Sequence, residues 1–288
     1  MTNVIANKYI IHEKIGGGCF GSVYKGINHK TQIQVAIKME DANADVKILK
    51  NETTIMKYLY DKGSRDIPIV YWFGVHNNIS CLVMSLYDCS LYDYIQTKPL
   101  SENKINTIMV SLINSLQFIH THLIVHRDIK PQNIMLRNGE LFLIDFGFAT
   151  FYVDENSNHI VDDGTRQHII GTPKYVSFHV HCGYLPTRRD DLISLGYMYM
   201  YLHRRSLPWD ILPTPDKADS EYEETHILNF KNKHRGWLKR IDYIQPICLE
   251  INKSIEIFLK YCYYIHYNDT PNYTSLSSLF MPPCNRET

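Results

Sequence analysis

The sequence predicts an α+β protein: a small antiparallel sheet with one main helix in the first third, and a larger, mostly helical remainder. Three observations carry that expectation. From Gln32 to Met39 apolar residues alternate strictly, with Ile33, Val35 and Ile37 on one face and Gln34, Ala36 and Lys38 on the other. After Ser90 the period lengthens, and apolar residues at 105, 108, 109, 112, 113, 116 and 119 form a helical stripe. With 288 residues, 44% of them hydrophobic and 21% charged, the chain has the size for one large domain or two packed lobes.

The elements follow in order. Tyr9 to Ile15 reads as a strand that enters the glycine cluster Gly16-Gly17-Gly18-Cys19-Phe20-Gly21, and a second strand, Ser22 to Gly26, leaves it. Asn28-His29-Lys30-Thr31 has turn chemistry before the alternating strand. Residues 46–60 read as a helix, and 69–75 and 79–87 as two more strands. Residues 85–90 are the expected hinge, dividing a first lobe (1–84) from a second (91–288). Ser101 is the expected N-cap of the long helix. Further helices are expected at 188–204 and 252–265, with the fold closing near Leu279-Phe280.

Composition excludes several classes. Lys+Arg and Asp+Glu both number 30, so the formal net charge is zero and argues against a dedicated nucleic-acid or anionic-membrane surface. The first eight residues hold no apolar run that could act as a signal peptide, and no stretch approaches membrane-spanning length. Thr2 does not fit a myristoylation signal, and Cys284 stands one place wrong for a prenylation box. Seven cysteines with no Cys-x-x-Cys pair read as reduced thiols, which places the expectation in cytoplasm or nucleus.

The glycine cluster alone is weak evidence. A dinucleotide fingerprint needs a helix after the glycines, whereas Val23 and Tyr24 favour a strand. A strand-glycine-strand hairpin can instead lay backbone N–H groups over phosphates, and an ordinary hairpin turn fits too. Lys38 shares a face with Ala36, so a small side chain can border a planar base while the ammonium reaches phosphate. A lysine at a strand end is usually solvated; Glu52, in the following helix, is placed to pair with it.

His126-Arg127-Asp128-Ile129-Lys130-Pro131-Gln132-Asn133 is far more specific. Its five polar positions would coincide by chance in roughly one in ten thousand chains of this length. Asp145-Phe146-Gly147 follows, behind the apolar run Leu141 to Ile144. Phosphoryl transfer requires these groups: a carboxylate to orient a hydroxyl, a cation for the γ-phosphate, and oxygen ligands from Asn and Asp for magnesium.

With these motifs in order, the chain resembles eukaryotic-type protein kinases over essentially its full length. It is most similar to the casein kinase I group. Gly171-Thr172-Pro173-Lys174-Tyr175-Val176-Ser177 stands where Ala-Pro-Glu is usual and is close to that group's Gly-Thr-Ala-Arg-Tyr-Ala-Ser. Arg188-Arg189-Asp190-Asp191-Leu192-Ile193-Ser194-Leu195-Gly196-Tyr197, Ser206-Leu207-Pro208-Trp209, Ile67-Pro68 and Asp269 to Tyr273 add to the likeness. The resemblance implies a bilobal protein-kinase fold that takes ATP and Mg2+ and phosphorylates serine or threonine of protein substrates as a monomer.

It also implies roles. The loop Gly16, Gly17, Gly18, Cys19, Phe20, Gly21 and Ser22 would cover the phosphates. Ile15, Val23 and Ala36 would roof the adenine, and Met135 and Ile144 would floor it. Met84 falls at the gatekeeper position, Ser85, Leu86 and Tyr87 would form the base-reading hinge, and Ser90 and Asp93 would meet the ribose. Lys38, paired with Glu52, would hold the α/β-phosphates. Asp128 would orient the substrate hydroxyl, Lys130 would steady the γ-phosphate, and Asn133 and Asp145 would bind magnesium. Lys130, two residues after Asp128, is the family's serine/threonine pattern.

Three departures stand out: Ile193 replaces a glutamate, Ser85 replaces a hinge acidic residue, and 216–224 is acidic where the group is basic. Lys174 retains a basic anion-binding position, but the acidic stretch predicts a weak preference for primed substrates. Tyr152, Ser157 and Thr165 offer hydroxyls in the activation segment, and Arg127 could meet an added phosphate; the family tends to be active without this. Lys231, Lys233, Arg235, Lys239 and Arg240 read as a solvated basic surface. Phe178 to Cys182, with alternating histidines, reads as a strand-like structural run rather than a zinc site. A catalytically dead scaffold remains the alternative to an active kinase, and the intact set Lys38, Glu52, Asp128, Asn133 and Asp145 favours activity. A nicotinamide-dependent dehydrogenase lacks its helix after the glycines.

Overall fold

The structure is a computed structural model that describes residues 4–18, 21–44, 46–161, 164, 168–211 and 223–282, without the side chains of 18 and 223–230. In chain order, β1 (Val4–Ile5), β2 (Tyr9–Gly18), β3 (Gly21–Asn28) and β4 (Gln34–Asp41) precede α1 (Ile48–Asp61). Then come β5 (Val70–His76), β6 (Ile79–Ser85), β7 (Cys89–Ser90), α2 (Leu91–Thr97) and α3 (Glu102–Thr121). The short strands β8 (Ile124–Val125), β9 (Ile134–Arg137), β10 (Glu140–Leu143) and β11 (Thr150–Phe151) follow. The rest is helical: α4 (Phe178–His181), α5 (Arg188–Arg204), α6 (Glu223–Leu238), α7 (Ile241–Ile251), α8 (Lys253–Tyr264) and α9 (Tyr273–Ser278).

The α+β expectation holds, as an antiparallel-sheet first region and a helical second one. Two compact units divide the chain: Met1–Leu91 with Gln132–Ala149, and Tyr92–Pro131 with Thr150–Thr288. Gln132–Ala149 was expected in the helical lobe. It clusters with the first unit because β7 pairs with β9, Ser90 opposite Met135, and β9 pairs with β10.

In the first unit a six-stranded sheet runs in the order β1-β2-β3-β4-β6-β5, every described pairing antiparallel. Its register sorts side chains by face. Val35, Ile37, Cys81 and Val83 join Ile5 and Tyr9 in one buried cluster. Val23 pairs with Lys38, Lys38 with Leu82, and Ala36 with Met84, so Val23, Ala36, Lys38 and Met84 point to the other face. The expected strand start at Gln32 fails: Gln32 takes a left-handed φ of 60°, which turns the chain, and Ile33 is 50% exposed rather than sharing the face of Val35. Helix α1 buries Leu49, Glu52, Thr53, Ile55, Met56 and Leu59, the stripe expected of a core-facing helix. Its start is capped at a distance, the backbone N–H of Leu49 donating to Glu40 Oε2 at 3.1 Å.

The second unit is built around α3 and α5. Ser101 accepts from the Lys104 backbone N–H at 3.3 Å, as expected of an N-cap. All but three residues of α5 are buried, because α3 and α8 pack against it. Two expectations fail here. Phe178 to His181 forms one helical turn, α4, capped by Ser177, rather than a strand-like run. Lys239 is wholly buried rather than part of a solvated surface. Phe280 is buried after α9, where closure was expected. Among the described residues no helix is long and apolar enough to cross a membrane.

Candidate active site

Periodicity alone makes position 52 a core position of α1, and a carboxylate survives there only with a partner. Lys38 supplies it from β4: its ammonium lies 2.8 Å from Glu52 Oε2 and 2.7 Å from Asp145 Oδ1. Burial works against the lysine's charge, but the two carboxylates outweigh it and hold Lys38 above the ordinary lysine range. Burial pushes Glu52 up to about 7 against the pull of Lys38. Asp145 stands at a left-handed φ of 66° and remains about one-third exposed. Asn51, next to Glu52, reaches the same loop, its amide donating to Ala149 O at 2.9 Å and Gly147 O at 3.3 Å.

Gly16, Gly17 and Gly18 lie on β2 and Gly21, Ser22 and Val23 on β3, whereas Cys19 and Phe20 lie outside the described residues. Gly21 has to be glycine: its φ is 124°, and a Cβ would sit 2.0 Å from Met39 O. Ile15 is 48% exposed, while Ala36 and Met84 are buried. Ser85 is tied down twice, its N–H donating to Ile69 O and its hydroxyl accepting from Ile69 N, both at 3.1 Å. Leu86 is half-buried; Tyr87 is buried against Phe142, ring centroids 4.6 Å apart. Ser90 is buried in β7, and Met135 and Ile144 are half-buried around the β9–β10 hairpin. Asn133 is 4% exposed, and its carbonyl accepts from the Ile144 N–H at 2.9 Å.

In the second unit Asp128 is the centre. One oxygen takes the Lys130 ammonium at 2.6 Å; the other accepts from the Thr172 backbone N–H at 2.9 Å and the Thr172 hydroxyl at 2.6 Å. Lys130 also donates to Thr172 Oγ1 at 2.9 Å, which closes a three-residue ring. Sequence alone assigns Thr172 no role, although it stands in the Gly171 to Ser177 segment. Gly171 permits the approach: its φ is 97°, and a Cβ there would meet Arg127 O at 2.3 Å.

The loop bearing Asp128 is anchored from α5. Asp191, 1% exposed, accepts from the backbone N–H groups of His126 at 2.7 Å and Arg127 at 2.8 Å, and from His120 Nε2 at 3.0 Å. Burial opposes the charge of Asp191, yet these donors hold its carboxyl below the usual range. Burial keeps His120 neutral, so its Nε2–H donates to Asp191 while Nδ1 accepts from Tyr273 OH at 2.7 Å. Arg127, at φ 69°, is held in this left-handed turn.

Asp93 is exposed in the first turn of α2. Lys174 pairs with Asp210 at 2.7 Å and lies over the Tyr201 ring at 4.4 Å, so its charge is already compensated. Tyr152 is buried, donating its hydroxyl to His120 O and accepting from Arg188, which removes it as an accessible modification site. Ser157 occupies an exposed turn. Thr165 and the acidic stretch 216–222 lie outside the described residues, as do the side chains of Glu223 and Glu224. A family model described as a protein kinase domain matches residues 9–276.

Proposed function

Because the chain belongs to the protein kinase family, we propose that it is a serine/threonine kinase of casein kinase I type, acting on proteins with ATP and Mg2+. One observation supports the hydroxyl specificity above all: an aliphatic hydroxyl, that of Thr172, already sits 2.6 Å from Asp128 Oδ1, beside the Lys130 ammonium. That carboxylate accommodates an alcohol donor, as a general base for serine or threonine must. The Gly171 to Ser177 segment and the Arg188 to Tyr197 helix start support the casein kinase I assignment.

Lys38 would bind the α/β-phosphates, oriented by Glu52. Lys130 would steady the γ-phosphate and Asp128 the incoming hydroxyl. Asn133 and Asp145 suit magnesium, since an amide and a carboxylate are hard oxygen donors and Mg2+ takes few protein ligands beside phosphate oxygens and water. When bound there, the ion supplies charge neutralisation of the phosphate oxygens. Ser85, whose N–H is spent on Ile69, leaves Leu86 and Tyr87 to read the base edge.

Labelled γ-phosphate transfer to casein, followed by phosphoamino-acid analysis, tests the reading, with Asp145→Asn as control. Phosphoserine and phosphothreonine are expected. Phosphotyrosine, or a wild type no faster than the control, contradicts it. Because Asp210 already compensates Lys174, a peptide phosphorylated three residues before its serine should gain little over its unphosphorylated twin; a large gain from priming contradicts that part.

A further inference from the structure

Lys239 is among the largest fully buried side chains of the protein. Among the described residues its ammonium forms no ion pair, and Asp210 acts on it only at longer range. The ammonium donates to Val176 O at 2.6 Å and Pro173 O at 2.8 Å, lies 3.2 Å from His181 Nε2, and faces the rings of Trp209 at 4.9 Å and Tyr197 at 5.1 Å. Two carbonyls, an imidazole and two aromatic faces therefore enclose one amino group.

What that amino group holds is the segment that carries Thr172. The N–H groups of Tyr175 and Val176 both donate back to Thr172 O, at 2.8 and 3.0 Å, so residues 172–176 form one tight turn. Lys239 grips that turn at Pro173 and Val176, directly behind the residue whose N–H and hydroxyl meet Asp128. Around it, Trp209 Nε1 donates to Lys174 O at 2.7 Å and Ser177 Oγ to Asp190 Oδ1 at 2.5 Å, so neighbouring points of the segment are fixed too. Lys239 itself is anchored through its carbonyl, which accepts from Tyr263 OH at 2.6 Å.

We propose that Lys239 is a positioning residue for phosphoryl transfer, holding the Pro173 and Val176 carbonyls so that Thr172 keeps Asp128 and Lys130 in the geometry that receives the substrate hydroxyl. The inference rests on the reading of Asp128 as the hydroxyl-orienting group. Misplacement of a reacting group by about 1 Å can cost on the order of 10²-fold in rate, so a grip one residue away is enough to matter.

Lys239→Met roughly keeps the volume and removes every side-chain N–H. Peptide phosphorylation, Mg·ATP affinity by calorimetry, thermal melting and amide exchange are compared with wild type, with kcat counted per ATP-binding site. Expected are a fall in kcat of about 10- to 10²-fold, ATP affinity within about twofold, and faster exchange of the Thr172 amide while those of His126 and Arg127 are unchanged. Thr172→Ala removes only the hydroxyl and keeps the backbone N–H on Asp128, so adding Lys239→Met to it should cost less in kcat than Lys239→Met costs alone. Additive losses, or normal kcat with normal Thr172 exchange, overturn the proposal. If Lys239→Met does not fold, Lys239→Gln, which keeps two donors, is read the same way; failure of both assigns Lys239 to folding alone and also overturns it. A wild type without transfer sinks the kinase reading instead, and the Thr172 exchange still reports on the grip.

Discussion

Lys38 and Lys239 are both lysines withdrawn from solvent, one in each compact unit, and they are held by opposite means. Lys38 keeps 12% of its side chain exposed and sits between two carboxylates, which hold its charge firmly in place. Lys239 is fully buried among carbonyls, an imidazole and ring faces, and burial together with Arg235 pushes it well below the ordinary lysine range. His181 beside it is pushed down to about 2 by burial and the lysine's charge. The difference separates two uses of one side chain. Lys38, proposed to meet the nucleotide's phosphates, is kept charged by acidic partners and left a path to solvent. A lysine that only has to hold backbone needs acceptors for its N–H groups, and carbonyls serve.

The sharpest way to break this comparison is Lys38→Met, which should lower kcat for peptide phosphorylation by about 10²–10³-fold, assayed at saturating Mg·ATP. A Lys38→Met enzyme within tenfold of wild type would make the carboxylate-paired lysine no more important than a structural one. Next comes Asp191→Asn, the acidic counterpart of Lys239 in gripping backbone. Losing charge from an acceptor of two backbone N–H groups should cost about 1.5–3 kcal/mol by denaturant titration.

A smaller effect tests the two charge states directly. Lys239 has a folded value below the ordinary 10.5, so the unfolded chain binds the extra proton, and wild-type stability should rise with pH up to about 10.5. The stability gap between wild type and Lys239→Met should therefore widen between pH 7.5 and 10, by at most about 1.4 kcal/mol per pH unit. Lys38 is raised above 10.5, so its contribution is complete below that pH and is lost only above it. The gap to a Lys38→Met/Glu52→Gln double variant should stay level across the same range. Equal slopes for both would erase the distinction. Least of all, Lys174→Gln should cost under about 1 kcal/mol in a thermal melt, because the Lys174–Asp210 pair is more than a quarter exposed.

The first of these lysines was legible in the sequence and the second was not. Lys38 announces itself through a period-two strand and a partner that breaks the apolar stripe of a helix, both local patterns. Lys239 lies in a run of cations that composition assigns to solvent; only the tertiary fold brings Pro173, Val176 and Trp209 to it. The same divide runs through the rest. The long helix with its Ser101 cap, the α5 boundaries and the buried Phe280 follow from periodicity and capping. The two-residue strands β7, β8 and β11 carry too little pattern to be read, since their pairing depends on partners distant in sequence. At Gln32 a local backbone turn overrode an alternation that included Ile33. Thr172 could have been found, because a hydroxyl beside a glycine in a segment already quoted is a signal; what the sequence lacked was the 2.9 Å contact that places it on Asp128.

The discontinuity of the first unit bears on how the polypeptide is made. The strands of its six-stranded sheet are synthesised by residue 85, but Ser90 finds its Met135 partner, and Lys38 its second carboxylate at Asp145, only after about fifty to sixty more residues have left the ribosome. Until then Lys38 has Glu52 alone, and the nascent N-terminal piece is an unfinished domain. A gene truncated near residue 91 would release that piece, while supplying 132–149 in trans offers a route to completing it.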